Sequence, residues 1–349
     1  MGARQVVARR GIVIGVALAL VAAAAVAVWW VRRDDASRFS AAVALAPSSA
    51  DRLSWTDWAA VRAELDADVD VDSPAAEVED FLLAAFDRDL NATTALESSA
   101  TELQETFGFS PASIDWELFA QGSDGAVIIL GLPESLSVDM LRDRLRAIGF
   151  SEPEAADGVW RGGVDLLERL DNPVTPQLAA ISFDEDAGLL YGSDDPAYLS
   201  TVRDAARGDR DDGIAEAVAA TGAALNASTY SGDYTCAELS MSEAGQSDRI
   251  RAAELVAAAG EVHPVTAFAI ANQPGGQVEV VFTFETAEQA RIDADTRSRL
   301  AAGPAPGQGG DFAERFTLGD VTALDRVVTM DLAPVDGWAV LSDFNQGPV

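Results

Sequence analysis

Val265-Thr-Ala-Phe-Ala-Ile-Ala-Asn272-Gln-Pro-Gly-Gly276-Gln277-Val-Glu-Val-Val-Phe-Thr-Phe-Glu285 is the stretch from which the fold can be read. Two apolar runs, Val265–Asn272 and Gln277–Glu285, flank the turn Gln273-Pro-Gly-Gly276, a strong hairpin signal. In the second run Val278, Val280, Phe282 and Phe284 alternate onto one face, the two-residue period of a strand. Strands joined by so short a connection run antiparallel.

Downstream, Thr286 caps a predicted helix over Ala287–Ala302 that Gly303 stops. A glycine-rich loop, Gly303–Gly310, leads to a strand near Glu314–Leu318. A hairpin is predicted from Arg326–Leu332 and Trp338–Ser342, turning at Pro334-Val-Asp-Gly337. The same order occurs upstream. Ala126–Leu132 is continuously apolar, as in a strand covered on both faces. Ser137 caps a helix with the stripe Val138, Leu141, Leu145 and Ile148, ended by Gly149. A strand follows around Gly158–Arg161, and then Leu178–Asp184 and Gly188–Gly192 flank Glu185-Asp186-Ala187. The two hairpins end alike, in Leu-Leu-Tyr-Gly-Ser-Asp194 and Trp-Ala-Val-Leu-Ser-Asp343. The expectation is an α+β fold with largely antiparallel sheet, holding two degenerate β-α-β-β-β units at 125–194 and 277–343. A segment at 195–276 connects them, opening with a helix at Asp195-Pro196.

The part at 51–120 reads as mostly helical. Thr56 or Asp57 caps Trp58–Leu65, and Ser73-Pro74 starts a helix to about Asp89 with Val78, Phe81, Leu82, Ala85 and Phe86 on one face. Another helix covers Ala95–Phe107, and Ser110-Pro111 opens a short one through Phe119. Residues 32–50 read as a stalk. Before them Gly11–Val31 is uncharged and apolar, matching the roughly 20 residues a helix needs to cross a bilayer. Arg4, Arg9 and Arg10 precede it and Trp29 and Trp30 end it, at interface positions. The small-residue site Ala25-Val26-Ala27 is followed by more apolar sequence, so 11–31 is expected to be a retained transmembrane helix rather than a cleaved signal. That places a basic arm, 1–10, in the cytoplasm and an α+β domain, 51–349, outside it.

The 349 residues carry 24 basic groups, all arginine, against 57 acids, a net charge of −33. Such a chain is repelled by nucleic acid, so no nucleic-acid partner is expected. Without lysine there is no Walker A lysine, no kinase-type lysine, no pyridoxal Schiff base and no Ser–Lys hydrolysis. One histidine, His263, and one cysteine, Cys236, exclude a histidine-rich zinc site, a redox pair and an internal disulfide. Cys236 lies in a strand-like alternation and is expected to be buried. His263, before Pro264, is read as a turn residue, and no Gly-x-Ser-x-Gly elbow accompanies it. No cofactor is expected.

Asp66, Asp68, Asp70 and Glu77 fall at positions 1, 3, 5 and 12 of a calcium loop between two predicted helices. Val71 stands where that loop requires glycine, and Pro74 interrupts it, so a solvated acidic connection is the stronger expectation. Asp115-Trp116-Glu117 and Asp184-Glu185-Asp186 each offer two carboxylates for glycoside hydrolysis, which needs a pair roughly 5–9.5 Å apart across a cleft. Asp115 and Glu117 are expected instead to be solvated while Trp116 turns inward. Trp55, Trp58, Trp116, Trp160 and Trp338 sit beside apolar positions and are expected in the core rather than along a glycan or peptide groove. Asn91-Ala-Thr93 and Asn226-Ala-Ser228 match glycosylation sequons.

Leu53-Ser-Trp-Thr-Asp-Trp-Ala-Ala-Val-Arg62, and Phe107-Gly-Phe-Ser-Pro111 with Asp115-Trp-Glu-Leu-Phe119, resemble segments of uncharacterised actinobacterial single-pass membrane-anchored exported proteins. The resemblance covers about the first third of the soluble region. It implies an exported, anchored domain and carries over no functional residue. The expected function is a membrane-anchored extracytoplasmic binding or scaffolding protein of the cell envelope. It would be held in the bilayer by 11–31, with an envelope protein or glycan as partner. The alternative is a carboxylate-dependent envelope hydrolase.

Overall fold

The computed structural model describes residues 37–204, 213–241 and 244–345. The predicted basic arm, the transmembrane helix 11–31 and the start of the stalk lie outside them. Among the described residues no helix is long and apolar enough to cross a membrane. Helix α1 (Arg38–Val43) leads into β1 (Ala50–Thr56). Asp57 caps α2 (Trp58–Glu64), accepting the Ala60 N–H at 2.9 Å. After Pro74, α3 (Ala75–Asp87) buries Val78, Phe81, Leu82 and Ala85 but leaves Phe86 exposed. A broken helix follows, 3-10 over Glu97–Ser99, α over Ala100–Glu102 and π over Leu103–Phe107. Gly108 ends it at φ 81°, a conformation that glycine adopts without cost.

Next come β2 (Trp116–Gly122), β3 (Gly125–Gly131), α4 (Val138–Ile148), β4 (Trp160–Arg161), β5 (Ala180–Asp184), β6 (Leu189–Ser193) and α5 (Pro196–Asp204). Ser137 caps α4 and Gly149 stops it in the left-handed region. The rest of the chain supplies α6 (Ile214–Thr221), β7 (Asn226–Ser231), α7 (Gly232–Glu238), α8 (Gln246–Ala259), β8 (Ala267–Gln273), β9 (Gln277–Thr283), α9 (Ala287–Ala301), β10 (Phe316–Leu324), β11 (Val327–Pro334) and α10 (Val340–Asn345). Thr286 and Gln289 close a reciprocal capping box on α9.

All eleven strands form one antiparallel sheet, ordered β10-β11-β9-β8-β7-β1-β2-β3-β6-β5-β4. One rung crosses it from edge to edge: Trp160, Ile181, Gly192, Ile128, Phe119, Ser54, Ser228, Ile270, Val280, Met330, Val321. Cross-strand partners share a face, so this row is one side of the sheet. Outward from the Ser54–Ser228 pair the connectivity is alike in both directions, except that the short β4 has no counterpart. A helix precedes the central strand and helices follow it. Then come a hairpin, a crossover helix, and a second hairpin whose last strand pairs back onto the first. The two halves thus share a strand order outward from the β1–β7 pair.

One face is closed by α1, α5 and α6, whose Phe39, Leu199 and Val218 join Trp55, Ile129 and Ala269 in a single apolar cluster. The opposite face carries two separate clusters, one over each half, around Ile128 and Leu130 and around Ile270 and Phe282. Between them runs a polar strip of Ser54, Thr56, Asn226 and Ser228, all buried.

Several elements differ from the sequence reading. Ala50–Thr56, within a segment read as stalk and helix, is the central strand. Asp115–Phe119 is not helical. Ser110 and Ser113 use their hydroxyls to close a turn (Ala112 N–H to Ser110 Oγ 3.1 Å, Ser110 N–H to Ser113 Oγ 2.9 Å) and the chain then enters β2. Lastly, β11 pairs with β10 rather than with Trp338–Ser342, through a two-residue turn in which Asp325 takes φ 51°. Trp338–Ser342 instead leads into α10. The second unit expected at 277–343 therefore lacks its last strand, and the strand order shared by the two halves extends to β1 and β7.

Candidate ligand-binding site

The two halves cover their shared face differently. In the first, the chain between β1 and β2 (residues 57–115) lays Trp58, Phe81, Leu103, Phe107 and Phe109 onto Ile128 and Leu130 and fills the space. In the second, the shorter segment between β7 and β8 (residues 232–266) includes α8, which buries only Ala259. A cavity of about 300 Å³ remains over that half. Its floor is Phe268, Ile270, Val280, Phe282, Met330 and Leu332. Leu300 and Ala301 of α9 form one wall and Val340 and Phe344 of α10 another. Phe268 is ringed by Phe344 at 4.9 Å and Phe282 at 5.3 Å between centroids. A wider hollow of about 500 Å³, lined by Glu152, Glu154, Asp157, Arg161, Arg203 and neighbouring loop residues, is mostly polar.

Two arginines line the apolar cavity, Arg297 and Arg315. Arg297 donates from Nε to Asp293 Oδ1 at 2.9 Å and from Nη2 to the His263 carbonyl at 3.1 Å. Its guanidinium lies 4.6 Å from the Phe282 ring centroid. Burial lowers its pKa and the Asp293 charge opposes the shift, so it remains a cation. Asp293 is fully buried and also accepts the His263 N–H, at 3.1 Å, and its ring Nδ1, at 2.6 Å. His263 is thus more than a turn residue: with Asp293 it fixes the arginine. The only sequence trace of this cluster is the Asp293–Arg297 spacing on α9. Arg315 donates to the Gln308 side chain and to the carbonyls of Gln308 (2.8 Å) and Gly309 (3.0 Å), and lies 5.3 Å from the Trp338 ring.

The wall formed by α10 is latched from the first half. Asp89, buried and at φ 60°, accepts the N–H groups of Leu341 (2.8 Å) and Ser342 (3.1 Å) and the Ser342 hydroxyl. Its carbonyl accepts the side-chain amides of Asn226 (3.0 Å) and Asn272 (2.6 Å). Desolvation raises the Asp89 pKa against these hydrogen bonds.

The carboxylates expected from sequence are placed as follows. Asp66, Asp68, Asp70 and Glu77 are exposed, and no group of three or more His, Cys, Asp or Glu side chains suited to a metal occurs among the described residues. The loop is organised by Gln104, whose amide donates to the carbonyls of Asp70 (3.1 Å), Val71 (2.8 Å) and Ser73 (3.1 Å). Glu117 is 1 % exposed, not solvated, because it projects from β2 onto the doubly covered sheet. It accepts from Thr94 Oγ1 (2.6 Å), Ala95 N–H (2.7 Å) and Trp58 Nε1 (3.2 Å), and desolvation pushes its pKa up to about 7. Trp116 is only half-buried. Asp184 and Glu185 sit at a hairpin turn, Glu185 3.1 Å from Arg142.

Trp55, Trp58 and Trp160 are core residues, whereas Trp338 is 41 % exposed. Cys236 is exposed on α7 and not in a strand: Gly232 at φ 58° turns the chain into a helix right after β7. Both sequon asparagines, Asn91 and Asn226, are buried and present no amide to a glycan.

No family model matches the chain, and no curated protein matches it. Among solved structures, that of the protein TP0453 is similar over 87 % of this chain and 96 % of its own length. Its sequence identity is 7 % and its TM-score 0.36, a likeness that fixes neither fold nor function.

Proposed function

We propose that the chain is a single-pass membrane protein, anchored through residues 11–31, whose domain lies outside the cytoplasmic membrane and binds an apolar small ligand in the cavity of its second half. The observation that carries the reading is the unequal covering of one sheet face. One half packs its wing solid and the other leaves its wing hollow, with a volume at the lower end of the roughly 300–1,000 Å³ of ligand pockets. An apolar ligand is favoured over a glycan because Trp55, Trp58 and Trp160, offered by sequence for a sugar groove, are spent in the core. Catalysis by carboxylates has no comparable support. Asp57, Asp89, Glu102, Glu117 and Asp293 are buried, and each accepts hydrogen bonds that hold a helix end, a loop or a neighbouring cation.

Two measurements test the two parts. Cys236 is exposed, so a membrane-impermeant maleimide added to intact cells labels it if the domain is outside. Labelling only after lysis refutes that topology. For the cavity, the full chain in nanodiscs is exposed to a neutral long-chain alcohol carrying a diazirine. Cross-links are expected on peptides containing Phe268–Ile270 and Met330–Leu332, and Ala301→Trp, which fills the cavity, removes them. Cross-links confined to residues 11–31 refute the pocket.

A further inference from the structure

The polar groups at the cavity set what its ligand carries. The chain has a net charge of −33, and arginines such as Arg38, Arg88 and Arg146 pair with carboxylates. Arg315 is held differently: both its Nη atoms donate to neutral oxygens of Gln308 and Gly309, and no carboxylate of a described residue lies within salt-bridge distance of it. Its guanidinium therefore stands at the edge of an apolar space without an ion pair among the described residues. Arg297 adds a donor. Nε and Nη2 are engaged, Nη1 makes no hydrogen bond to a described residue, and the side chain keeps 19 % exposure. A guanidinium held by Asp293 and stacked on Phe282 is already oriented, so little is lost in ordering it around a ligand.

On the reading that the cavity binds an apolar ligand, the geometry points to a single-chain carboxylate, a free fatty-acid-type anion, with its head at Arg315 and Arg297 and its chain over Phe268, Ile270 and Met330. One chain rather than two follows from the small volume, about 300 Å³. A monoanion rather than a phosphate is favoured by Asp343, an exposed carboxylate that also lines the cavity and whose repulsion grows with each negative charge on the head group. Gln308, bound to Arg315, completes the polar end.

The test uses the full chain in nanodiscs and the same neutral diazirine probe, displaced by decanoate, decanol, decylamine or decyl phosphate. Decanoate is expected to compete best. Arg315→Gln is expected to weaken decanoate about tenfold, the scale of one hydrogen bond to a charged group, with decanol unchanged. Arg315→Lys should keep most of the preference, and Arg297→Gln should reduce it in the same direction. Equal competition by decanoate and decanol overturns the assignment, as does a lead for decylamine or decyl phosphate, or an Arg315→Gln chain that still prefers the acid. The head-group ranking on the unaltered chain decides the matter even if a variant does not fold. Failure of the neutral probe to label the cavity at all counts against the pocket itself, a different outcome from loss of head-group preference.

Discussion

Glu117 allows the buried polar strip to be tested quantitatively. Its carboxyl sits between two covered layers, where desolvation raises the pKa from 4.5 to about 7 despite three donors. Between those values the native protein holds a proton that the unfolded chain has released. Stability then falls as pH rises, since the unfolded state binds fewer protons. The stabilising contribution is complete below about pH 4.5 and is lost by about pH 7. At about 1.36 kcal/mol per pH unit, that gap amounts to roughly 3 kcal/mol. Glu117→Gln cannot titrate. Its amide can accept the Ala95 N–H and donate to Thr94, but Trp58 Nε1 then loses its acceptor, a pH-independent cost of about 1–3 kcal/mol. Denaturant unfolding followed by tryptophan fluorescence, repeated from about pH 4 to about pH 8, should show the unaltered chain losing ~3 kcal/mol more than the variant across that range. Asp57 and Asp89, also raised by burial, act in both proteins and cancel in the difference. Parallel pH profiles for the two chains would refute the argument.

Other consequences follow from the same geometry. Asp89→Asn weakens the latch on α10 and should cost ~2 kcal/mol, with amide exchange at residues 341–345 rising before any other segment; unchanged exchange there would show that α10 is held otherwise. Calcium titration should give no saturable heat at millimolar concentration, since Asp66, Asp68, Asp70 and Glu77 stand exposed and form no metal-suited group among the described residues, and Asp66→Asn should leave the trace unaltered. Gly131→Ala brings a Cβ to 2.0 Å from Trp116 Nε1, so it should destabilise by about 1–3 kcal/mol and shift the fluorescence of that ring; an unaltered melting temperature would count against this packing of β2 on β3.

Signals confined to a few neighbouring residues could be read directly. The β8–β9 hairpin, the caps at Asp57, Ser137 and Thr286, and the stop at Gly149 depend on local backbone chemistry, and all were legible. Central β1 was not. Its Ser54 and Thr56 belong to the polar strip and only Ala50, Leu53 and Trp55 bury apolar surface on the other side, so it shows too few apolar residues to announce a core strand. Glu117 misled for the converse reason. A carboxylate in an acidic chain reads as solvated unless its donors are known, and those donors lie far away in sequence, at Trp58 and Thr94. The cavity had no positive signal, because it arises from what the 232–266 segment fails to supply.

That omission sets the two halves apart. The polar strip of Ser54, Thr56, Asn226 and Ser228 divides one face into two wings, and Phe119 and Ile270 stand at corresponding places on either side of it. Apolar floors of this kind need a cover, since exposed apolar patches beyond a few hundred Å² are seldom left without a role. The first wing supplies its own cover, with aromatic rings from the 57–115 segment wedged against α4. The second is covered by α9 and α10 at its margins and by little from α8. Its regions with few buried apolar contacts open at lower free energy than the filled wing. A ligand occupying that space would add the missing contacts and raise the protection of the end of α9, the 308–316 segment and α10 while leaving the first wing unaffected. Amide exchange with and without decanoate therefore has a defined expectation, protection concentrated at residues 297–316 and 340–345. Uniform protection over both wings would mean that ligand binding is not what the hollow half is for.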